Sequence, residues 1–211
     1  MDQASSSGGI WAWQIVKLIV VSSLILFSLF LWVAGFTEEG IRLVIRWSAR
    51  ISATCFCIAF AGSALHLWLQ NSVSFWLFRN RKYFGISFAL LHLMHLGALF
   101  VLQNYFHPVF ERAANFSLFA GGMAYLFLVS MFLTSFERFS KLLTGRQWKL
   151  LHTVGGYWIW FIFFNSYFKG ILRAEYWDLP LLLILVSVLI LRGWKLFKRK
   201  RDTLTNQASR Y

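Results

Sequence analysis

Apolar runs of about twenty residues recur six times along the chain, separated by short polar stretches rich in Arg, Lys, Gly and Ser. A helix needs about 20 mainly apolar residues to cross a hydrocarbon core of roughly 30 Å. The pattern therefore predicts spans at about 14–36, 48–69, 83–103, 115–135, 150–168 and 177–197. No polar stretch is long enough to form a separate soluble domain. The expected architecture is all-α: one membrane domain over 1–211, a six-helix transmembrane bundle followed by a basic tail at 198–211.

Composition supports this. Of 211 residues, 58% are hydrophobic and 14% charged, against roughly a quarter charged in soluble domains; mean hydropathy is +0.59. With six spans, fifteen of the 21 basic residues fall on the side that holds both termini, among them Lys17, Arg79, Arg81, Lys82, Arg138, Arg146 and the Lys195–Arg201 run. Arg42, Arg46, Arg50, Arg112, Lys169 and Arg173 fall opposite. The positive-inside rule makes the first side cytoplasmic. The net charge of +13 is then mainly topology, and the basic tail suits anionic lipid head groups. Lying directly after a span, it is not read as a nucleic-acid patch. The first span lacks a basic n-region and is expected to be retained. Trp11, Trp13, Trp47, Trp148, Tyr176, Trp177 and Trp194 lie near span ends, where aromatic residues favour the interface.

Candidate chemistry comes from polar residues inside the spans. All eight acidic residues lie in loops, tails or span edges, which counts against a proton or cation transporter relying on membrane carboxylates. Cys55 and Cys57 are two apart and turn to different helical faces, so apolar packing is their expected role. Histidine is what the spans do contain: His66, His92, His95 and His152, with His107 just beyond the third span and expected to face solvent. At about 1.5 Å per residue, His152 and His66 lie roughly 3 and 4 Å inside the cytoplasmic boundary, and His92 and His95 roughly 14 and 18 Å deep. Two polar levels in a bundle suit two stacked haems held by imidazoles. A membrane histidine can also simply hydrogen-bond a neighbouring helix. His92 and His95 share a face, so at least one of them is expected to be structural. A zinc or copper site ranks below haem, because no Cys, Asp or Glu stands at the same level.

Arg79-Asn80-Arg81-Lys82-Tyr83-Phe84-Gly85 precedes a span with His95 ten residues after the glycine. Leu133-Thr134-Ser135 ends the fourth span, and Trp148-Lys149-Leu150-Leu151-His152 opens the fifth. This order, over about residues 75–170, resembles the ferric-reductase-like transmembrane domain. The likeness is greatest to the branch of haem-binding membrane subunits of the bacterial periplasmic methionine-sulfoxide reductase system. The resemblance implies haems between the third and fifth spans, with His95 at the outer level and His152 at the inner. The family's second histidine on the fifth span falls thirteen residues after the first, where this chain has Asn165, a poor iron ligand. Fourteen residues before His95, members with four ligands have another histidine; this chain has Arg81, and the methionine-sulfoxide branch is likewise basic there. Arg81 is suited to a haem propionate, since guanidinium recognises carboxylates bidentately. By depth alone, His66 is an alternative partner for His152.

Three occupancies follow: a haem between His66 and His152, or between Arg81 and His152; a second on His95 alone, with Asn165 near a distal molecule; or an empty outer site. The expectation is one or two b-type haems, at least one at the inner level, in a protein passing electrons across a bacterial inner membrane. The donor would be a cytoplasmic flavin reductase or quinol, because no Gly-rich nucleotide fingerprint is present; the acceptor would be a periplasmic or extracellular oxidoreductase or metal. The rivals are a haem-free structural or assembly subunit and, less favoured, a small metal or proton transporter.

Overall fold

Helix caps decide where the apolar runs become helices. Thr37 accepts from the Gly40 amide at 3.2 Å and starts one helix. Asn71 and Ser74 form a reciprocal capping box that starts the next, and Thr144 and Gln147 form another. Each side chain satisfies amides that the first helical turn leaves without partners. In the computed structural model, which describes residues 3–107 and 115–208, the elements are α1 (Gln3–Ala34), α2 (Glu38–Leu69), α3 (Ser72–Val101), α4 (Asn115–Leu133), α5 (Glu137–Ser140), α6 (Gly145–Leu172) and α7 (Leu179–Ala208). A π-helical turn, Leu102–Phe106, ends α3, and a 3-10 turn, Tyr176–Asp178, precedes α7. Among the described residues the chain is all-α.

Four stretches are long and apolar enough to cross a membrane: Ala12–Ala34, Glu38–Leu69, Ser72–Phe106 and Tyr176–Asp202. This is the makeup of a multi-pass integral membrane protein. The two other expected spans coincide with α4 and α6. The described apolar part of α4, Phe119–Leu133, is shorter. α6 has 28 residues but stands outside the four; His152, Asn165 and the glycines, tryptophans and tyrosines between and beside them lower its mean hydropathy. The helices also outrun the apolar runs. α2 begins at Glu38 rather than near 48 and carries Arg42, Arg46 and Arg50 on its first turns; α3 begins at Ser72 rather than near 83 and carries Arg79, Arg81 and Lys82. Hydropathy marks where a chain is apolar, whereas caps and backbone hydrogen bonds set where a helix starts. The expected polar loop between spans two and three shrinks to Gln70 and Asn71, with Gln70 in the left-handed conformation (φ 47°).

α2 is the central helix, packed on α1, α3 and α7, while α4 packs on α6 and α6 on α7. Its buried face is rich in small residues, with Ser48, Ser52, Ala53, Ala61, Gly62 and Ala64 all buried, which lets neighbouring backbones approach closely. Gly155 and Gly156 do the same for α6. A Cβ at Gly155 would lie 2.7 Å from Met131 Sδ of α4, and one at Gly156 would lie 2.8 Å from the Phe60 ring of α2. Tryptophan N–H groups tie α6 to its neighbours: Trp158 donates to the Ala120 carbonyl at 3.1 Å and Trp160 to that of Leu185 at 2.9 Å. Phe56, Phe60, Phe88 and Phe163 form the aromatic centre of the core. Cys55 and Cys57 are buried, free thiols in it.

Candidate histidine site

His92 and His95 lie on the face of α3 that packs against α2. Ser48 and Ser52, four residues apart on α2, meet them from the opposite helix. Ser52 Oγ lies 3.0 Å from His92 Nδ1, and Ser48 Oγ 3.1 Å from His95 Nδ1. His95 Nδ1 also lies 3.0 Å from the Ile45 carbonyl, an acceptor, so Nδ1 carries the proton there. Ser48 Oγ therefore accepts from His95 and donates to the Ile45 carbonyl, while Ser52 Oγ donates to the Ala49 carbonyl or to His92 Nδ1, according to the His92 tautomer. Among the described residues no hydrogen bond is made by Nε2 of either ring. The imidazoles stack on each other with centroids 5.0 Å apart and 10° between planes, and Tyr125 of α4 stacks on the far side of His92 at 5.3 Å. Phe163 of α6 meets the His92 ring edge-on at 5.2 Å.

The other histidines are held locally. His66, near the end of α2, has Nδ1 3.2 Å from Ser74 Oγ and stacks on Phe78 at 5.6 Å. His152 Nε2 lies 3.2 Å from Thr134 Oγ1, and its ring stacks on Trp148 at 4.1 Å. The Phe60–Gly156 contact gives a common reference height. His152 is about 6 Å and His66 about 9 Å from it, both towards the end of the bundle where α2 ends and α6 begins. The two are thus close in height, but His66 turns to α3 and His152 to the end of α4, and no described contact joins them. Arg81 is exposed, lies over the Phe78 ring at 4.8 Å and is within electrostatic reach of His152. His107, in the left-handed region at φ 42°, is exposed beyond the π-helical turn.

Asn165 is brought to none of the histidines. It lines a cleft of about 340 Å³ between α4 and α6, together with Ala120, Gly121, Phe161, Ile162, Ser166, Lys169 and Arg173. A second groove, about 450 Å³ between α1 and α3, is lined by Trp76, Arg79 and Asn80 among others and likewise holds no histidine. Among the described residues no three His, Cys, Asp or Glu side chains gather closely enough to hold a metal ion on their own.

Of the hydroxyls that orient the four histidines, Thr134 belongs to the Leu133-Thr134-Ser135 motif, while Ser48, Ser52 and Ser74 were not singled out from the sequence. Ser48 and Ser52 do carry a signal: their four-residue spacing puts them on one helical face. Nothing along the chain says that this face meets α3. No protein-family model, curated protein or solved structure gives a significant match to the chain.

The donor set can be tested against a haem. An imidazole that ligates iron usually has its other ring nitrogen fixed by a hydroxyl, carbonyl or carboxylate. His92 and His95 have Nδ1 so fixed and Nε2 uncommitted. These imidazoles would be suited to hold haem iron, whereas Asn165, where the resemblance implies a further ligand, offers an amide turned to another cleft.

Proposed function

We propose that this chain is a six-span subunit of the bacterial inner membrane, with both termini cytoplasmic, that passes electrons across the bilayer through b-type haem. The observation that carries the reading is the pair His92 and His95, whose Nδ1 atoms are fixed from α2 by Ser52, Ser48 and the Ile45 carbonyl while Nε2 is left uncommitted. Haem, when bound, supplies a one-electron couple whose potential follows its ligands, burial and hydrogen bonds. The chain's own part is to hold His95 or His92 in one orientation and keep the surroundings apolar with Phe88, Phe163 and Tyr125. The motif resemblance supports a cytoplasmic flavin reductase or quinol as donor and an external oxidoreductase as acceptor.

A second reading, a haem-free structural or assembly subunit, is favoured by a different observation. Phe56, Phe88 and Phe163 already fill the space between α2, α3 and α6 beside His92. A reduced-minus-oxidised absorption spectrum of the purified protein, produced with ample haem, separates the two. A b-type signal lost in His95→Ala or His152→Ala supports electron transfer. Its absence from the wild type leaves the haem-free subunit.

A further inference from the structure

One turn of α2 gathers positive charge from two other helices. At Phe60, the Arg192 guanidinium of α7 lies 3.8 Å over the ring, donates from Nη1 to the Phe60 carbonyl at 2.7 Å and from Nε to the Tyr157 hydroxyl at 3.3 Å. At Gly62, the missing side chain makes room for Arg81 of α3, whose Cβ lies 3.7 Å from where a Cβ of Gly62 would stand. At Ser63, Lys195 of α7 donates from Nζ to the hydroxyl at 2.7 Å. Arg192 and Lys195 are three residues apart and share a face of α7; both are half-buried, while Arg81 opens to the outside. None of the three carries an ion pair among the described residues.

Arg192 and Lys195 converge on this turn and Arg81 stands within electrostatic reach of Lys195, so like charges repel one another here. Their hydrogen bonds go to a carbonyl and hydroxyls, which orient the cations without neutralising them. The cluster lies at the end of the apolar part of α7, just before Lys198–Arg201, and a boundary from apolar to basic residues is where head groups are met. Beside it on α7, Ile190, Leu196 and Phe197 are 65%, 60% and 68% exposed, an apolar surface suited to acyl chains. Basic pockets between membrane helices on the cytoplasmic side are recognised receptors for anionic head groups.

We propose that Arg81, Arg192 and Lys195 form a built site for the phosphate of an anionic phospholipid, whose acyl chains lie along the exposed apolar face of α7. The site is distinct from the basic run Lys198–Arg201 that follows it on α7. It does not depend on haem, because the readout below is stability against lipid.

The test is thermal unfolding of the purified full chain in neutral detergent, with added phosphatidylglycerol, phosphatidylcholine or inorganic phosphate. Phosphatidylglycerol is expected to raise the melting temperature by about 4 °C and to stay bound in native mass spectrometry, with phosphatidylcholine and millimolar phosphate giving little. Arg192→Gln/Lys195→Gln should lose most of that rise, while Lys198→Gln/Lys200→Gln, which removes two charges from the tail, should keep it. Arg81→Gln, which breaks no described hydrogen bond, must also reduce the rise and serves if the double variant does not fold. Equal stabilisation by phosphatidylcholine, or equal loss in the tail variant, overturns the site. A full effect from inorganic phosphate alone overturns the assignment to lipid.

Discussion

Arg50 of α2 grips Asp178, in the turn before α7, with Nη2 3.0 Å and Nε 3.3 Å from the same carboxylate oxygen. The pair is largely withdrawn from solvent, its side chains 24% and 12% exposed. It joins residues far apart in sequence, and α6 makes room for it: a Cβ at Gly170 would lie 2.5 Å from Asp178 Oδ2. Removing one partner of a buried pair strands the other charge. Asp178→Asn is therefore expected to lower stability by about 2–3 kcal/mol, read as a drop in unfolding temperature. Gly170→Ala should also destabilise, because the carboxylate cannot move away without leaving Arg50. Unchanged melting in both would show that the turn is held by something else.

The contact of Gly156 with the Phe60 ring sets how closely α6 approaches α2. Gly156→Val should cost about 1–3 kcal/mol by overpacking. Gly155→Ala should cost less, since it adds a single methyl, which meets Met131 Sδ at 2.7 Å and the Phe127 side chain at 3.1 Å. Thermal melts of the two variants side by side check the order, which the reverse ranking would contradict.

If His92 and His95 serve haem, the serines behind them matter through orientation. Ser52→Ala removes the described hydrogen bond to His92, whereas Ser48→Ala leaves His95 its bond to the Ile45 carbonyl. Loss of such an orienting group typically costs 10–100-fold in metal affinity. Haem retention and midpoint potential should fall or shift more in whichever variant serves the ligating histidine. Identical haem content and potential in both variants would remove these residues from the site.

Topology can be read by cysteine labelling, because Cys55 and Cys57 are 4% and 3% exposed and should stay silent to a membrane-impermeant maleimide in intact spheroplasts. Glu39→Cys should react from outside, and Lys200→Cys only after permeabilisation. The opposite pattern would invert the orientation, and labelling of both from one side would remove at least one span.

Much of the architecture was legible along the chain, because the cost of exposing polar backbone to lipid forces long apolar helices wherever apolar runs occur. The four strongest stretches, the burial of both cysteines and the exposure of His107 agree with that reading. Helix ends were less legible. Arg42 and Arg46 read as loop residues, yet they continue α2, since a helix crossing a head-group layer does not lose its hydrogen bonds when its side chains become charged.

The sequence by itself determined that this protein is helical and built for a membrane, and which imidazoles stand out from an apolar background. Both follow from local composition, which needs no knowledge of neighbours. Only the tertiary structure decided that Ser48 and Ser52 orient His95 and His92, that His66 and His152 turn to different helices, and that Arg81, Arg192 and Lys195 meet on one turn of α2. Those pairings depend on which face of each helix meets which other. On helices that are apolar nearly all round, sequence periodicity leaves that choice open, and close packing of small residues and rings makes it.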